Sequence, residues 1–406
     1  MKISDRVLNF QESVTLKLNA EVVKLQESGH EVINLTAGQL PFKPDFDFIK
    51  NIKQEANFLK AFQYSPVPGF PELRNKIKNW MSADRKVEFN NMDVIISSGA
   101  KHVISNILCS LINPGDEVII IAPYWVSYPA MIELYGGVTK VVQSDFYDHY
   151  CPDVEGIRKL ITKKTKAIIV NSPNNPVGTV YKPEWMEQFS LLMKEHPNIS
   201  LISDEIYREL NFYDPMPTYF YQNDKDLLNR TIIISGISKV MASTGLRIGW
   251  AVGPKDFIKK VGVLQGQTTS GANSLIQLAL LQYDFNKLND YLGPIKNHLR
   301  KNANCLRDKL RENNLSHKWY QVDGAFYFLL DLKNLPIMDH FLSEDDSKDF
   351  ATEICQKILM DCGVALVPGS DFGAPNTARM SLVANNEIFS KAIDLLIECI
   401  QKKKLN

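Results

Sequence analysis

The chain has 406 residues, and 45% of them are hydrophobic, which is enough to bury a sizeable core. Lysine plus arginine number 46 and aspartate plus glutamate also number 46, so the formal net charge is zero. A chain without net charge lacks the attraction that draws basic proteins to nucleic acids or anionic membranes, and we expect neither as a partner.

The N-terminal residues lack the apolar run of a signal peptide, and the longest apolar runs have the length of a strand, too short to span a bilayer. The six cysteines are scattered without a CxxC pair. This pattern favours reduced thiols in a cytoplasmic protein over a disulfide framework or a metal site. We therefore expect a cytoplasmic protein without a bound metal.

Short runs of β-branched residues alternate with longer helical patterns, which is typical of a mainly parallel, wound α/β sheet. The predicted strands cover residues 94–97, 118–121, 167–170, 200–203 and 231–234. From Tyr291 onward the pattern predicts a helix, a strand within residues 324–331 and a closing helix. We expect a large domain over residues 46–290, and a smaller α+β domain formed by residues 1–45, the N-terminal arm, together with residues 291–406.

Ligands of open α/β sheets bind beyond the carboxyl ends of the strands. The first predicted strand leads to Gly99, Ala100 and Lys101, which open an amphipathic helix whose N–H groups could hold a phosphate. Ordinary turn chemistry explains the glycine equally well. The second strand is followed by Trp125, which could stack on a flat ring or fill the core.

Polar residues also follow the next two strands. Asn175 lies in a turn that two prolines and a glycine fix, and Asp204 and Tyr207 follow the fourth strand. A buried aspartate can pair with a protonated ring nitrogen, although capping a helix is its more ordinary role.

The fifth strand leads to Lys239, with Ser238 beside it and Arg247 eight positions further on. A charged side chain at the end of a core strand is costly unless it is paired or reacts. Pyridoxal 5′-phosphate (PLP) needs all three groups, because its aldehyde combines with an amine and its phosphate binds a hydroxyl and a guanidinium. A surface turn with incidental charges is the alternative for this segment taken alone.

Together these residues resemble the class I aminotransferases of PLP fold type I, in particular the aspartate aminotransferase branch. The stretches that match occur in the family's order and cover nearly the whole chain: residues 34–38, 64–74, 123–129, 171–176, 203–207, 238–247, 367–372 and 378–381.

The resemblance implies a role for each matching residue. Lys239 would be the Schiff-base lysine and the general acid/base, Asp204 would hold the pyridinium, and Tyr207 would contact the ring oxygen together with Asn175. The remaining cofactor contacts would come from Trp125 on the ring face and from Ala100, Lys101, Ser238 and Arg247 around the phosphate.

The resemblance also implies how substrate and partner are bound. Arg379 would clamp the substrate α-carboxylate, helped by the Gly38 backbone and Asn175. Some relatives use a lysine at the position of Lys101 for the distal carboxylate of acidic substrates; otherwise Lys101 serves only the phosphate loop or the solvent. Tyr64 matches a tyrosine that reaches the phosphate of the neighbouring subunit, which implies a homodimer with shared active sites.

The function implied is transfer of an amino group between an L-amino acid, with aspartate or glutamate as candidates, and a 2-oxo acid by a ping-pong route. A PLP-dependent lyase or synthase on the same fold is the alternative. A regulator of this fold would carry a DNA-binding domain, for which a pattern that begins by Asn34 leaves no room. The chain departs from the family at residues 38–42, and at Leu246 where a tryptophan is frequent, which affects specificity and not cofactor chemistry.

Overall fold

The computed structural model describes residues 2–8, 14–212, 216, 218–341 and 348–402. The strands in this part of the chain are β1 (Ile33–Asn34), β2 (Met92–Ser97), β3 (Glu117–Ile121), β4 (Val138–Val142), β5 (Thr165–Asn171), β6 (Ser200–Asp204), β7 (Thr231–Gly236), β8 (Gly249–Pro254), β9 (Tyr327–Asp331), β10 (Val364–Ala365), β11 (Val367–Pro368) and β12 (Thr377–Ser381). The helices are α1 (Asp5–Leu8), α2 (Val14–Glu27), α3 (Phe46–Glu55), α4 (Pro71–Arg85), α5 (Ala100–Leu111), α6 (Ser127–Leu134), α7 (Val154–Leu160), α8 (Pro183–Glu195), α9 (Lys225–Leu228), α10 (Ile237–Val240), α11 (Lys255–Thr268), α12 (Ser274–Gln282), α13 (Leu288–Glu312), α14 (Ala351–Cys362) and α15 (Asn386–Gln401).

Seven strands form the central sheet in the order β2-β8-β7-β6-β5-β3-β4. All neighbours are parallel except β8, which runs antiparallel to both β2 and β7. The inner strands of this sheet are mostly buried, as in β3 with every residue buried, because helices cover both faces of a mainly parallel sheet. The predicted α/β class is confirmed.

The five predicted strands lie within β2, β3, β5, β6 and β7, while β4 and β8 were not predicted. Strand β4 lies at the sheet edge and has an exposed Val138, so its apolar pattern is weak. Strand β8 contains Gly249 and Gly253 and ends at Pro254, residue types that are depleted in strands.

Several strands end at the same edge of this sheet. Asn171 at the end of β5 pairs with Asp204 at the end of β6, and Asp204 pairs in turn with Ile234 of β7. Strand β2 runs in the same direction as β7, because both are antiparallel to β8. The segments that follow these strands therefore meet along one crevice, as expected for an open α/β sheet.

Apolar clusters fill the space on each side of the sheet. Helix α5 packs its predicted stripe, which includes Val103, Ile104 and Ile107, against one face, and all three are at most 1% exposed. On the other face the aromatic rings of Trp185 and Phe189 from α8 stack 5.0 Å apart within the larger cluster. Helices packed on both faces therefore hold the sheet, and with it the strand ends, in place.

A second, antiparallel sheet has the order β11-β12-β9, and β1 pairs with β10 in a separate two-stranded sheet. Helices α13, α14 and α15 pack nearby, and α13 buries a stripe that includes Leu292, Leu299 and Leu306. The helix, strand and closing helix predicted after Tyr291 correspond to α13, β9 and α15. The division into residues 46–290 and residues 1–45 plus 291–406 stays a prediction.

No helix in the described ranges is long and apolar enough to cross a membrane. The six cysteines are all unpaired thiols. The cytoplasmic location stays a prediction.

Candidate active site

Lys239 lies in α10, directly beyond the end of β7. Its Nζ donates a hydrogen bond to the Gly38 carbonyl at 2.5 Å and lies 5.8 Å from the centre of the Tyr207 ring. Burial lowers the pKa of the Lys239 amine to about 8, and the neighbouring Arg379 and Arg247 guanidinium groups lower it too. A lysine with a lowered pKa holds a larger fraction of neutral, nucleophilic amine near pH 7.

Asp204 ends β6 and is 4% exposed. Its Oδ2 accepts a 2.5 Å hydrogen bond from the Tyr128 hydroxyl, and its Oδ1 accepts one from the backbone N–H of Ile206 at 3.2 Å. Burial raises the pKa of the Asp204 carboxyl to about 6, while the Tyr128 hydrogen bond works against that rise. The bond to Ile206 closes a local turn, so Asp204 does not cap an α-helix.

Asn175 and Tyr207 are both buried close to the crevice. The Asn175 Oδ1 accepts a hydrogen bond from Arg379 at 3.1 Å, and the Tyr207 hydroxyl lies 3.3 Å from the hydroxyl of Tyr327. A Cβ placed on Gly38 would lie 3.7 Å from the same Tyr327 hydroxyl. Asn175, Tyr207 and Gly38 therefore surround one small region.

Arg379 projects from β12 and is 4% exposed. Its Nη1 donates to Asn175, its Nη2 donates to the Thr36 carbonyl at 3.0 Å, and its buried Nε has no hydrogen-bond partner among the described residues. The guanidinium also lies 4.5 Å from the centre of the Tyr327 ring. A buried guanidinium held by neutral groups, with one N–H unused, is suited to an incoming carboxylate.

Arg247 follows the turn Thr244–Leu246 and lies against the start of α5. Its Nη2 donates to the Ser98 carbonyl at 3.3 Å. Gly99 has a φ of +89°, and a Cβ there would overlap the Arg247 guanidinium. A Cβ on Gly249 would likewise overlap the backbone N of Ala100. The two glycines thus bring a guanidinium and a helix N-terminus together, an arrangement that binds anions.

Lys101, Trp125 and Ser238 complete the predicted set inside the crevice. The Lys101 Nζ lies 5.1 Å from the centre of the half-buried Trp125 ring. Lys101 is exposed, while desolvation and the Arg247 guanidinium lower the pKa of its amine. Ser238 is 7% exposed and immediately precedes Lys239 in α10.

Tyr64 is the predicted site residue that the chain does not bring to the others. It is 93% exposed and lies beyond the short 3₁₀ helix Leu59–Phe62. Such exposure is unusual for a tyrosine and leaves its ring available to a second molecule.

Charge is unbalanced at this site. Among the described residues, the site contains one acidic group, Asp204, and four basic groups, Lys101, Lys239, Arg247 and Arg379. None of these four basic groups forms an ion pair with a carboxylate of a described residue. Groups of one sign brought together this way repel one another unless anions neutralise them. The residues therefore fit a phosphorylated cofactor together with a carboxylate substrate.

Sequence reasoning missed five residues that shape the site: Thr36, Tyr128, Asn171, Thr244 and Tyr327. Asn171 ends a strand, so its position carried a usable signal. Tyr128 and Tyr327 occupy apolar patterns in which a tyrosine is most simply a core residue.

Comparison with known proteins identifies the class of enzyme to which this fold and site belong. The family model described as aminotransferase class I and II matches residues 30–393. The aspartate/prephenate aminotransferase of Thermus thermophilus is 33% identical over 397 residues, which are 97% of this chain and 97% of that protein. The aspartate aminotransferase of a Bacillus species is 33% identical over 395 residues, again 97% of each chain.

Solved structures agree with this assignment. The Thermus thermophilus aspartate aminotransferase with maleate superposes with a TM-score of 0.87 at 31% identity, covering 98% of this chain and 100% of that chain. The aspartate aminotransferase from Rhizobium meliloti gives a TM-score of 0.87 at 26% identity, covering 98% and 99%.

The chain belongs to the class I and II aminotransferases. It is an enzyme that transfers amino groups, its fold is that of PLP fold type I, and the predicted aminotransferase function is confirmed. The alternative of a lyase or synthase is not favoured. Members of this family use PLP, and their substrates are amino acids and 2-oxo acids.

Proposed function

We propose that this aminotransferase binds PLP and acts on acidic L-amino acids, aspartate or glutamate, with a 2-oxo acid as the amino acceptor in a ping-pong reaction. The observation that carries the proposal is the excess of positive charge in the crevice. Four basic groups face one carboxylate there, and they include a buried Arg379 with an unused Nε. A phosphate and the two carboxylates of an acidic substrate would neutralise them.

Each cofactor group has a matching residue. Lys239 would hold the aldehyde, Asp204 the ring nitrogen, and Asn175 with Tyr207 the ring oxygen. Trp125 would lie on the ring face, and the phosphate would be bound by Ala100, Lys101, Ser238 and Arg247. When bound, PLP withdraws electrons from the substrate Cα and carries the amino group between the two half-reactions.

Lys239 is the residue best suited to move the substrate proton. Its amine has a pKa lowered to about 8, so at neutral pH it can both accept and return a proton. We assign to Lys239 the transfer of the Cα proton. Asp204, buried and held by two donors, would keep a proton on the ring nitrogen beside it.

Arg379 and Asn175 would fix the orientation of the substrate. Arg379 would bind the α-carboxylate through the edge that carries Nε, while Asn175 and the Thr36 carbonyl hold the guanidinium from its other side. A substrate held in this way presents one Cα bond to Lys239 and excludes water from the α-carboxylate.

Lys101 is our candidate for the distal carboxylate. Its Nζ lies over Trp125, and its side chain is exposed, so a substrate can reach it. Desolvation and the Arg247 guanidinium lower the pKa of its amine. The relatives are named aspartate aminotransferases, which supports an acidic substrate with a distal carboxylate. The competing role for Lys101 is contact with the phosphate loop or the solvent alone.

An apolar surface around Tyr64 supports a homodimer with shared active sites. Phe58, Leu59 and Phe62 are 54%, 73% and 70% exposed, and they lie close to Tyr64 in the sequence. Exposed apolar residues grouped in this way are typical of a surface that a partner buries. We assign a second copy of the chain to it. Sedimentation should give a dimer, and a monomer with full activity would contradict this arrangement.

A panel of amino donors with 2-oxoglutarate as acceptor tests the proposed substrate. We expect kcat/KM for aspartate, measured as 2-oxo acid formed, to exceed that for alanine and leucine by about a hundredfold, the effect of one charge-assisted hydrogen bond in a desolvated pocket. Equal values for acidic and apolar donors would overturn the acidic preference and leave the aminotransferase assignment intact.

A further inference from the structure

The hydroxyl of Tyr128 is committed to Asp204. Tyr128 lies in the first turn of α6 and is 2% exposed. Its hydroxyl donates a 2.5 Å hydrogen bond to Asp204 Oδ2, and this is its only hydrogen bond within the described ranges. Burying a phenol hydroxyl costs free energy unless it is paired, and a phenylalanine would fill nearly the same space without that cost.

The carboxylate of Asp204 is held at both oxygens by different elements. Oδ1 accepts from the Ile206 backbone, and Oδ2 accepts from Tyr128, while Asn171 Nδ2 donates to the Asp204 backbone carbonyl at 2.8 Å. The Asn171 bond holds the backbone of Asp204 at the end of β6. The Ile206 and Tyr128 bonds together fix the rotation of its carboxylate, and the Tyr128 bond is the shorter of the two.

The same short segment also carries the ring-stacking residue. Trp125 lies three residues before Tyr128, and the two rings meet edge to face, 5.4 Å apart at 86°. A shift of this segment would therefore move the residue on the ring face and the donor to Asp204 together.

We propose that Tyr128 is a positioning residue that keeps Asp204 ionised and turns its carboxylate toward the ring nitrogen of the bound cofactor. The inference rests on the proposed binding of PLP. In this role Tyr128 acts through Asp204, to which its hydroxyl is bonded, and not through a contact of its own with the cofactor or the substrate.

The charged and titratable groups around Tyr128 and Asp204 support a Tyr128 hydroxyl that donates to an ionised Asp204. Asp204 is faced by Tyr128, by Lys239 from α10 and by its neighbour Glu205, and Tyr128 is also faced by Tyr207 and Tyr181. Burial and Asp204 raise the pKa of Tyr128 well above its usual value, so it stays a donor throughout the working pH range. Without that donor the Asp204 carboxylate would become more basic. The proton between Asp204 and the ring nitrogen of the bound cofactor would then lie nearer to Asp204.

Tyr128→Phe tests the proposal, with Tyr150→Phe as the matched control. Tyr150 is also buried, at 4% exposure, but its hydroxyl has no hydrogen-bond partner in the described part of the chain. With PLP labelled by ¹⁵N in the ring and no substrate present, we expect the resonance of Tyr128→Phe to move toward that of a neutral pyridine. The control should match the wild type.

Kinetics provide a second readout. We expect Tyr128→Phe to lower kcat about tenfold, as for loss of a hydrogen bond to a charged group, with little change in KM. The isotope effect with α-deuterated aspartate should rise. In an Asp204→Ala background the same substitution should have almost no effect, because the residue through which it acts is gone.

The outcomes separate this inference from the proposed function. If the wild-type chain takes up no PLP, the proposed function fails and the inference fails with it. If the wild type binds PLP and turns over, but Tyr128→Phe leaves the ¹⁵N resonance and kcat unchanged, only the role of Tyr128 is overturned. Equal losses in the wild-type and Asp204→Ala backgrounds would also overturn it.

Discussion

Arg379 and Asn175 are joined by a 3.1 Å hydrogen bond although 204 positions separate them in the sequence. Arg379 belongs to β12 of the antiparallel sheet, and Asn175 belongs to the turn that follows β5 of the central sheet. The residue proposed to bind the substrate α-carboxylate and the residue proposed to contact the cofactor ring therefore belong to two different sheets. A movement of one sheet against the other would change the position of Arg379 relative to Asn175.

Lys239→Ala should abolish turnover and the visible absorbance band of lysine-bound PLP. The reason is that Lys239 is the amine beside the proposed aldehyde position and has a pKa lowered to about 8. Borohydride treatment followed by peptide mass analysis checks the site of attachment. The exposed Lys260 in α11 offers a control, since Lys260→Ala should keep both band and activity. Attachment of PLP that persists in Lys239→Ala would remove the assignment.

Asp204→Ala should retain some PLP yet lose most activity. The proposed phosphate contacts would remain, but the ring nitrogen would lose its proposed carboxylate partner and the ring would become a weaker electron acceptor. Single-turnover assays with aspartate measure the half-reaction directly. Rates near those of the wild type would count against the role of Asp204.

The reaction of the cofactor-free protein with PLP should accelerate as the pH rises, with a midpoint near 8. Lys239 reacts as the neutral amine, and its pKa is lowered to about 8 by burial and by the nearby guanidinium groups. Stopped-flow absorbance between pH 6 and 9 follows this reaction. In Arg379→Gln the midpoint should move upward, because one of the charges that disfavour the ammonium is removed. A wild-type rate that shows no levelling by pH 9, as expected for an ordinary lysine with a pKa of about 10.4, would contradict the prediction.

The proximity of most of the proposed cofactor-binding residues could be predicted from the sequence because parallel strands end at one edge of a sheet. Asn175, Asp204 and Lys239 each follow an apolar run, so their proximity follows from topology alone. The pairing of Asn171 with Asp204 in neighbouring strands shows how closely the register brings these ends together.

The remaining contacts depend on packing that no local pattern encodes. Tyr128 and Tyr327 were not predicted, since only the folded chain shows that their hydroxyls face Asp204 and Tyr207. The approach of Gly38 to Lys239 likewise joins segments 201 positions apart. Strand β8 was missed because two glycines and a proline obscure its pattern.

Lys101→Ser should raise KM for aspartate and glutamate far more than KM for an apolar amino acid. The Lys101 Nζ lies over Trp125, and its exposed side chain is accessible to a distal carboxylate. Desolvation and the like charge of Arg247 lower the pKa of Lys101, and a distal carboxylate would offset the repulsion between the two cations. Losing one charge-assisted hydrogen bond in such a place should raise KM about tenfold to a hundredfold. Steady-state assays with aspartate, glutamate and leucine measure the effect, and Lys259→Ser, on the exposed side of α11, is the control. Equal losses for acidic and apolar donors would show that Lys101 serves the phosphate loop or the solvent, because either role affects every donor alike.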